Sequence, residues 1–386
     1  MTIFLLILLA CAWVYSLLAI VAGLRYSAAA APVLTLPPPI SILKPLAGAE
    51  PALESNLRTF FEQDYPAFEV LFAVEDIDDT AVPIVEKLRR EYPNVPSRLL
   101  VTGDPTYSNA KVYSLEQMLS AAANDLVVMS DSDTRVGPDL LRTVGAEFEN
   151  PSLGLETCPY RAIPGAGLWS RLEAAGLNTD FMAGILVARM VEGMRFAVGP
   201  TIVARRSVLQ SIGGFPRLKD YLAEDFLIGK ITAGAGYGVA LSSYVIEHHL
   251  GNSDLRRNAA HRLRWARSTR RSRPLGYLGQ LLTMPLLLAL LVCAVHPGWW
   301  PVLPVTLVIR GLAAYVVSTR VLKVKVPWLL LPIEDLAGFC FWVAGFFGRT
   351  IVWRGRRYRL YRDGRFELVA PVGQEFSHHS RSAEHT

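Results

Sequence analysis

Asp131 and Asp133 stand two residues apart at the end of an apolar run, 126–129, so on an extended chain their side chains leave on the same side. Two carboxylates so placed suit a hard divalent cation, Mg2+ or Mn2+, which neutralises a diphosphate leaving group. The competing reading is an Asp- and Ser-rich turn. Glu224 and Asp225 open a later helical stretch, where acidic side chains also suit the helix dipole. The chemical alternative makes Asp225 a general base for an attacking hydroxyl, with Phe226 and Leu227 as an apolar wall that raises its pKa.

Four further groups extend this pattern. Asp76 closes the apolar run Phe68–Val74, where its carboxylate can accept the N3–H of a uracil ring or simply belong to the acidic turn 75–79. Lys44 and Lys111 read as contacts to phosphate or ribose, or as surface lysines. In His261-Arg262-Leu263-Arg264-Trp265, Arg264 can offset the charge of a departing diphosphate and the Trp265 indole can floor an acceptor site. The same helix also reads as an interfacial one with Trp265 as membrane anchor. His248 and His249 offer one third metal ligand, or are ordinary core or surface histidines. No Gly-x-x-x-x-Gly-Lys-Ser/Thr loop is present, so phosphates are not held in P-loop fashion.

Strand-like runs at 40–43, Phe68–Val74, 98–101 and 126–129 alternate with helical spacing at 53–62, through Arg90, and at 111–122. That alternation predicts an α/β fold with a mostly parallel sheet, whose ligands bind at the carboxyl ends of the strands, where Asp76 and Asp131 fall. Further on, strands are expected at 196–203 and 239–246, a helix at 221–233 and a basic helix at 255–269. The stretch 160–195 is weakly patterned.

Residues 1–24 carry no charge and are long enough to cross a bilayer of about 30 Å, and they read as an uncleaved anchor. Arg25 follows, which by the positive-inside rule puts the rest in the cytoplasm. Apolar stretches recur at 276–296, 299–318 and 326–348. The first two read as a hairpin. The third carries Glu334 and Asp335 near its middle, which need a protein partner such as Arg310. Four full crossings would place the arginines at 349–359 outside, so a re-entrant or interfacial last segment is expected. The net charge of +5 is concentrated in eight arginines from Arg256 to Arg273, better matched to anionic lipid head groups and topology than to nucleic acid. Four cysteines, three of them in apolar spans, exclude a disulfide framework.

The expected organisation is an anchor at 1–26, a catalytic domain at 38–250, a basic interfacial helix at 251–274, a membrane region at 275–350 and a basic tail at 351–386 with a disordered end from Glu375. The chain resembles the membrane glycosyltransferases with the pattern D, DxD, ED, (Q/R)xxRW, and among them the ceramide glucosyltransferase family, glycosyltransferase family 21. Segments similar to that family's are Ile42-Leu43-Lys44-Pro45-Leu46, Phe60-Phe61-Glu62-Gln63-Asp64-Tyr65-Pro66, Asp131-Ser132 with Arg135-Val136, Ala223-Glu224-Asp225, and Val352 through Arg359. His261 through Arg267 is similar to the bacterial branch that glycosylates hopanoid lipids. The resemblance implies a GT-A fold, a UDP-sugar donor, a divalent cation, inversion at the anomeric carbon and a membrane-lipid acceptor, hopanoid or ceramide, in the bacterial inner membrane. It places uridine on Asp76, the metal diphosphate on Asp131 and Asp133, base catalysis on Asp225, and closure over diphosphate and acceptor on Arg264 and Trp265. His261 departs from the Gln or Arg usual at that position. A processive polysaccharide synthase, a polyprenyl-phosphate glycosyltransferase and a catalytically inert scaffold are the rival readings.

Overall fold

Strands β1 (Ile40–Pro45), β2 (Phe68–Val74) and β4 (Leu126–Ser130) are apolar on both faces because both faces are covered. The computed structural model describes residues 2–50, 52–353 and 356–371. After an N-terminal helix α1 (Thr2–Ala28), these strands are joined by α2 (Leu53–Phe61), α3 (Val82–Glu91), β3 (Ser97–Val101) and α4 (Ala110–Ala121). Ile42, Phe72 and Val128 pack with Leu57, Phe60 and Leu88 on one side of the sheet. Leu43, Leu71 and Met129 pack with Val112, Leu115 and Met118 of α4 on the other. The period-two alternation of each strand thus feeds two helical layers.

The chain continues through β5 (Thr134–Arg135), α5 (Leu140–Glu147), β6 (Leu153–Thr157), β7 (Tyr160–Pro164), α6 (Leu168–Gly176) and α7 (Met182–Glu192), with a π-turn at Leu177–Phe181 between the last two. Then come β8 (Thr201–Arg205), α8 (Arg206–Ser211), α9 (Glu224–Gly234), β9 (Gly238–Leu241), β10 (Ile246–Leu250) and α10 (Leu255–Ser272). The main sheet runs β3-β2-β1-β4-β8-β6-β9, parallel except where β8 lies antiparallel to β4 and β6. A second sheet, β5-β10-β7, is built over the carboxyl end of β4.

Two expectations change here. The strand expected at 196–203 begins only at Thr201, because Gly199 adopts φ +32° ahead of Pro200 and the preceding residues loop. The single strand expected at 239–246 is two strands in different sheets. The chain turns at Ser242 and Ser243, whose hydroxyls and the Ser243 N–H all bond the Glu147 carboxylate at 2.6–2.7 Å.

The membrane region comprises α11 (Pro274–Gly279), α12 (Pro285–Val295), α13 (Val302–Tyr315, extended by a π-turn to Val321) and α14 (Leu331–Gly345). Among the described residues two helices, Thr2–Ala28 and Val302–Val321, are long and apolar enough to cross a bilayer. The pair Pro274–Thr283 and Pro285–Val295, bent by 65°, makes a third if it counts as one span. The last helix, α14, has 15 residues and reaches only about 22 Å, too short to span. It runs alongside α10 instead, exposing Ile333 and Leu336. Glu334 falls in its first turn and Asp335 directly after, rather than near its middle. Asp335 pairs with Arg310 at 3.0 Å, the partner expected, and Arg310 also meets Asp180 at 2.8 Å.

The segment expected as a basic tail forms a sheet as far as it is described: β11 (Thr350–Trp353), β12 (Arg356–Leu360) and β13 (Phe366–Pro371). Tyr358, Leu360 and Phe366 bury against Leu222, and the Phe366 N–H donates to Asp220 O at 2.8 Å. This sheet is therefore on the same side of any bilayer as the main domain, so the chain between them crosses an even number of times. The bent pair, if it counts as one span, and α13 would supply two. The disorder expected from Glu375 lies outside the described residues.

Candidate active site

The carboxyl end of β4 is held from beneath. Lys44 projects from β1 into the core, fully buried over the Phe60 ring at 3.8 Å. Its ammonium donates to Asp131 O at 2.5 Å, Thr134 Oγ1 at 3.1 Å and Ser130 Oγ at 3.3 Å. Burial pulls its pKa down to about 7. This corrects the expectation of a phosphate or ribose contact: Lys44 is spent on shaping the loop that presents Asp131 and Asp133.

Lys111 lies on the open side. Asn109 caps α4, its side chain accepting the Val112 N–H, and so places Lys111 in the first turn. Lys111 Nζ is 2.6 Å from Asp131 Oδ1 and 3.1 Å from Glu224 Oε1, joining two motifs far apart in sequence. Asn109 Nδ2 donates to Glu224 Oε2 at 3.3 Å. Burial and the neighbouring Asp133 hold the Asp131 carboxyl above its usual range, with Lys111 opposing.

Asp225 points the other way from the same helix start. Its Oδ2 accepts the Gly199 N–H at 2.7 Å and its Oδ1 the Phe226 N–H at 2.7 Å. Burial first, and the Glu224 charge second, push it up to about 6. The direction is the one expected from an apolar wall. The loop carrying Gly199 also receives the Asp131 N–H on Pro200 O at 2.8 Å, so one short segment positions both carboxylates.

Asp133 faces β10. Its Oδ1 lies 3.4 Å from His248 Nδ1, a contact not aligned as a hydrogen bond, and both atoms are buried without a hydrogen-bond partner. Burial would raise the Asp133 carboxyl, but His248, Lys44 and Lys111 outweigh it and hold it at about 2. His249 turns aside: its ring meets Glu247 at 2.9 Å, which in turn binds Arg161. Of the two histidines only His248 thus joins the aspartates. Among the described residues no three His, Cys, Asp or Glu side chains converge as a complete metal site. The partnerless Asp133 Oδ1 and His248 Nδ1 beside Asp131 do fit a cation that takes a few protein ligands and completes its shell with phosphate oxygens and water.

Asp76 stands exposed at the end of β2, two strands from β4 in the sheet, its Oδ1 accepting the Asp78 N–H at 3.0 Å. The turn reading and the uracil reading share that geometry. On α10, His261 Nδ1 meets Glu173 Oε1 at 2.6 Å. The Trp265 ring packs on His261 at 5.3 Å and on Phe181 at 5.7 Å. Phe181 meets Tyr160 at 5.5 Å, and Tyr160 meets His248 at 5.4 Å. A continuous aromatic wall therefore joins Trp265 to the aspartates. Arg264 lies on the same helix one residue earlier. Tyr160, Glu173, Phe181 and Gly199 were missed. They lie in or beside the weakly patterned stretch, and a lone glutamate or phenylalanine in a helix has no local signal.

A twisted α/β sheet with one acidic pair closing its central strand and a second opening a helix beside it defines the GT-A class of glycosyltransferase folds. A family model described as Glycosyl transferase family 21 matches residues 3–366, and the chain belongs to that family. It is 29% identical over 209 residues to ceramide glucosyltransferase 1 of Caenorhabditis elegans, covering 54% of this chain and 44% of that protein. To the beta-monoglucosyldiacylglycerol synthase of Synechocystis sp. it is 27% identical over 157 residues, 39% of this chain and 32% of the relative. The matched region thus spans less than half of these relatives. A mannosyltransferase from Pyrobaculum calidifontis, solved in complex with GDP-Man and Mn2+, shares the fold with a TM-score of 0.54 at 19% identity, over 89% of this chain and 97% of that one.

Proposed function

We propose that the protein transfers a hexose or N-acetylhexosamine from a UDP-sugar to a hydroxyl of a membrane lipid, with inversion at the anomeric carbon. The observation that carries this reading is the Lys111 bridge between Asp131 and Glu224, with Asp225 beside it, at the head of a domain whose α10 runs directly into membrane helices. A hydrophilic donor and a bilayer-bound acceptor must meet at the interface, and carboxylates at the head of such a domain suit that meeting. The ceramide and diacylglycerol acceptors in the relatives' names support a lipid hydroxyl. We place the catalytic domain on the cytoplasmic face of the bacterial inner membrane, since Arg25 lies in the last turn of α1 and Arg320, Lys323 and Lys325 cluster at the carboxyl end of the helical stretch Val302–Val321.

Asp225 accepts the proton of the acceptor hydroxyl as its oxygen bonds to the anomeric carbon. The bond from that carbon to the diphosphate oxygen breaks with its electron pair leaving on UDP. Asp131, Asp133 and His248 would hold Mg2+ or Mn2+, which supplies charge neutralisation for the diphosphate. Lys111 keeps Asp131 in place and adds a cation beside the leaving group, Arg264 adds another, and Asp76 receives the uracil N3–H. Trp265, with Phe181 and Tyr160, forms the apolar wall for the acceptor. His261, fixed by Glu173, orients Trp265.

The test is UDP release by detergent-solubilised protein, with UDP-glucose and UDP-N-acetylglucosamine crossed against ceramide and a polyhydroxylated hopanoid, with and without Mn2+. Release that requires one lipid and disappears in Asp225→Asn is the expected result. Release that no lipid raises above donor hydrolysis would end the lipid-hydroxyl reading, and release supported by a polyprenyl phosphate would replace it.

A further inference from the structure

Where the last turns of α10 pass the end of α14, five arginines converge. Arg267 donates to Phe347 O at 3.0 Å and Thr350 O at 2.5 Å, and Arg270 donates to Phe346 O at 2.5 Å. These bonds clamp α10 to the segment entering β11 and bring the Arg349 charge near Arg271. The β12–β13 turn brings Arg362, with Gly364 of that turn packed near Ser272. Other arginines in this part of the chain are neutralised: Arg262 by Glu334, Arg273 by Glu192, Arg356 by Glu75. Arg270, Arg271, Arg349 and Arg362 have no carboxylate in contact among the described residues, and the Nε atoms of Arg270 and Arg271 are buried without a partner. Burial, and then the charges of Arg270, Arg349 and Arg362, hold the Arg271 guanidinium below its usual pKa. A folded protein that crowds like charges this way has left room for an anion.

The surroundings decide which anion. Leu275 and Leu278 of α11 and Phe347 after α14 flank the cluster and are 81%, 52% and 68% exposed. Apolar side chains this exposed beside unneutralised arginines match the level of lipid phosphates and upper acyl chains. Arg271 is also about 9 Å further along α10 than Trp265, toward the membrane helices. We propose that Arg270, Arg271, Arg349 and Arg362 bind the phosphate of an anionic phospholipid, with Leu275, Leu278 and Phe347 entering its acyl region. The site clamps α10, the helix that carries Arg264 and Trp265, to the leaflet. It depends on the placement of the chain in a bilayer and on no particular donor or acceptor.

The test uses the full-length protein in neutral detergent, titrated with phosphatidylglycerol or phosphatidylcholine and read by native mass spectrometry, with UDP affinity measured separately by calorimetry. Phosphatidylglycerol is expected to bind more tightly than phosphatidylcholine. The exposed double variant Arg349→Gln/Arg362→Gln should weaken phosphatidylglycerol by about fivefold per arginine, leaving phosphatidylcholine and UDP unchanged. Arg349→Lys/Arg362→Lys should keep most of the preference. An unchanged phosphatidylglycerol affinity in the glutamine variant overturns the proposal. So does weakened UDP binding, which would put these arginines on the donor diphosphate, or full displacement of the lipid by inorganic phosphate, which would make the site one for a free anion.

Discussion

Asp225 Oδ2 accepts the backbone N–H of Gly199 at 2.7 Å, and Gly199 sits at φ +32°, where a side chain is disfavoured. The bond fixes the carboxylate while burial and Glu224 hold its pKa at about 6. A base must be ionised to work, so the rate should fall about tenfold per pH unit below 6 and level off above it. Asp225→Asn should lower kcat by about 10²- to 10⁴-fold and remove that limb from the pH profile. For stability the sign runs the opposite way. A raised carboxyl pKa means the native state binds more protons than the unfolded chain, so stability declines as pH rises from about 4 to 6. The Asn variant has no such titration, so that decline should disappear, while its amide leaves one of the two N–H donors without an acceptor and its Tm should be modestly lower throughout. A low-pH limb that persists in the Asn variant would assign the titration to another group.

Lys111 is the cation that lets Asp131 and Glu224 share one side of the site. Lys111→Met leaves two half-buried carboxylates facing each other without it, a change of the kind that costs about 3 kcal/mol. Thermal unfolding at pH 7 should show a clearly lower midpoint, partly restored when Glu224→Gln is added. An unaltered midpoint in the single variant would show that the bridge contributes nothing to holding the two motifs together.

His248 and His249 separate cleanly. His248→Gln or Asp133→Asn should raise the Mn2+ concentration for half-maximal activity at least about tenfold. His249→Gln should leave it unchanged, because that ring is committed to Glu247, which Arg161 also holds. Equal effects from the two histidine variants would remove His248 from the metal set. Chelation by EDTA should abolish turnover in the parent, with recovery on adding Mn2+ or Mg2+.

The first half of the fold was legible because β1, β2 and β4 are apolar on both faces, and Asp131 stands where the last of these runs stops. The acidic pair at 224–225 was legible for a similar reason, being polar residues at the head of an apolar helix. The second half depends on long-range contacts. Ser242 breaks a strand through Glu147, 95 residues earlier in the chain. In β12 the exposed Arg357 and Arg359 alternate with the buried Tyr358 and Leu360, yet the arginines dominate the composition and the segment reads as a tail. Lys44 reads as a surface residue because its partners, a hydroxyl pair and a carbonyl, are supplied by a loop 86 to 90 residues away. Lys44 and β12 show the same limit: a residue type reports its usual setting, while burial is decided by which neighbours the topology brings.

Arg310 links α13 to both the π-turn, through Asp180, and the start of α14, through Asp335. Next to Asp180, Phe181 carries the aromatic wall under Trp265. Arg310→Met leaves the buried Asp335 and the partly buried Asp180 uncompensated and should destabilise the detergent-solubilised protein by about 3–5 kcal/mol. The triple variant Asp180→Leu/Arg310→Met/Asp335→Leu removes all three charges together and should recover most of that loss, since apolar packing can replace a buried ion group. Thermal unfolding followed by tryptophan fluorescence separates the cases. If the single and triple variants lose equal stability, the charges hold no partner in check and the helices are held by packing alone. If the triple variant is stable yet its acceptor KM rises, the triad also sets the position of the wall that the acceptor meets.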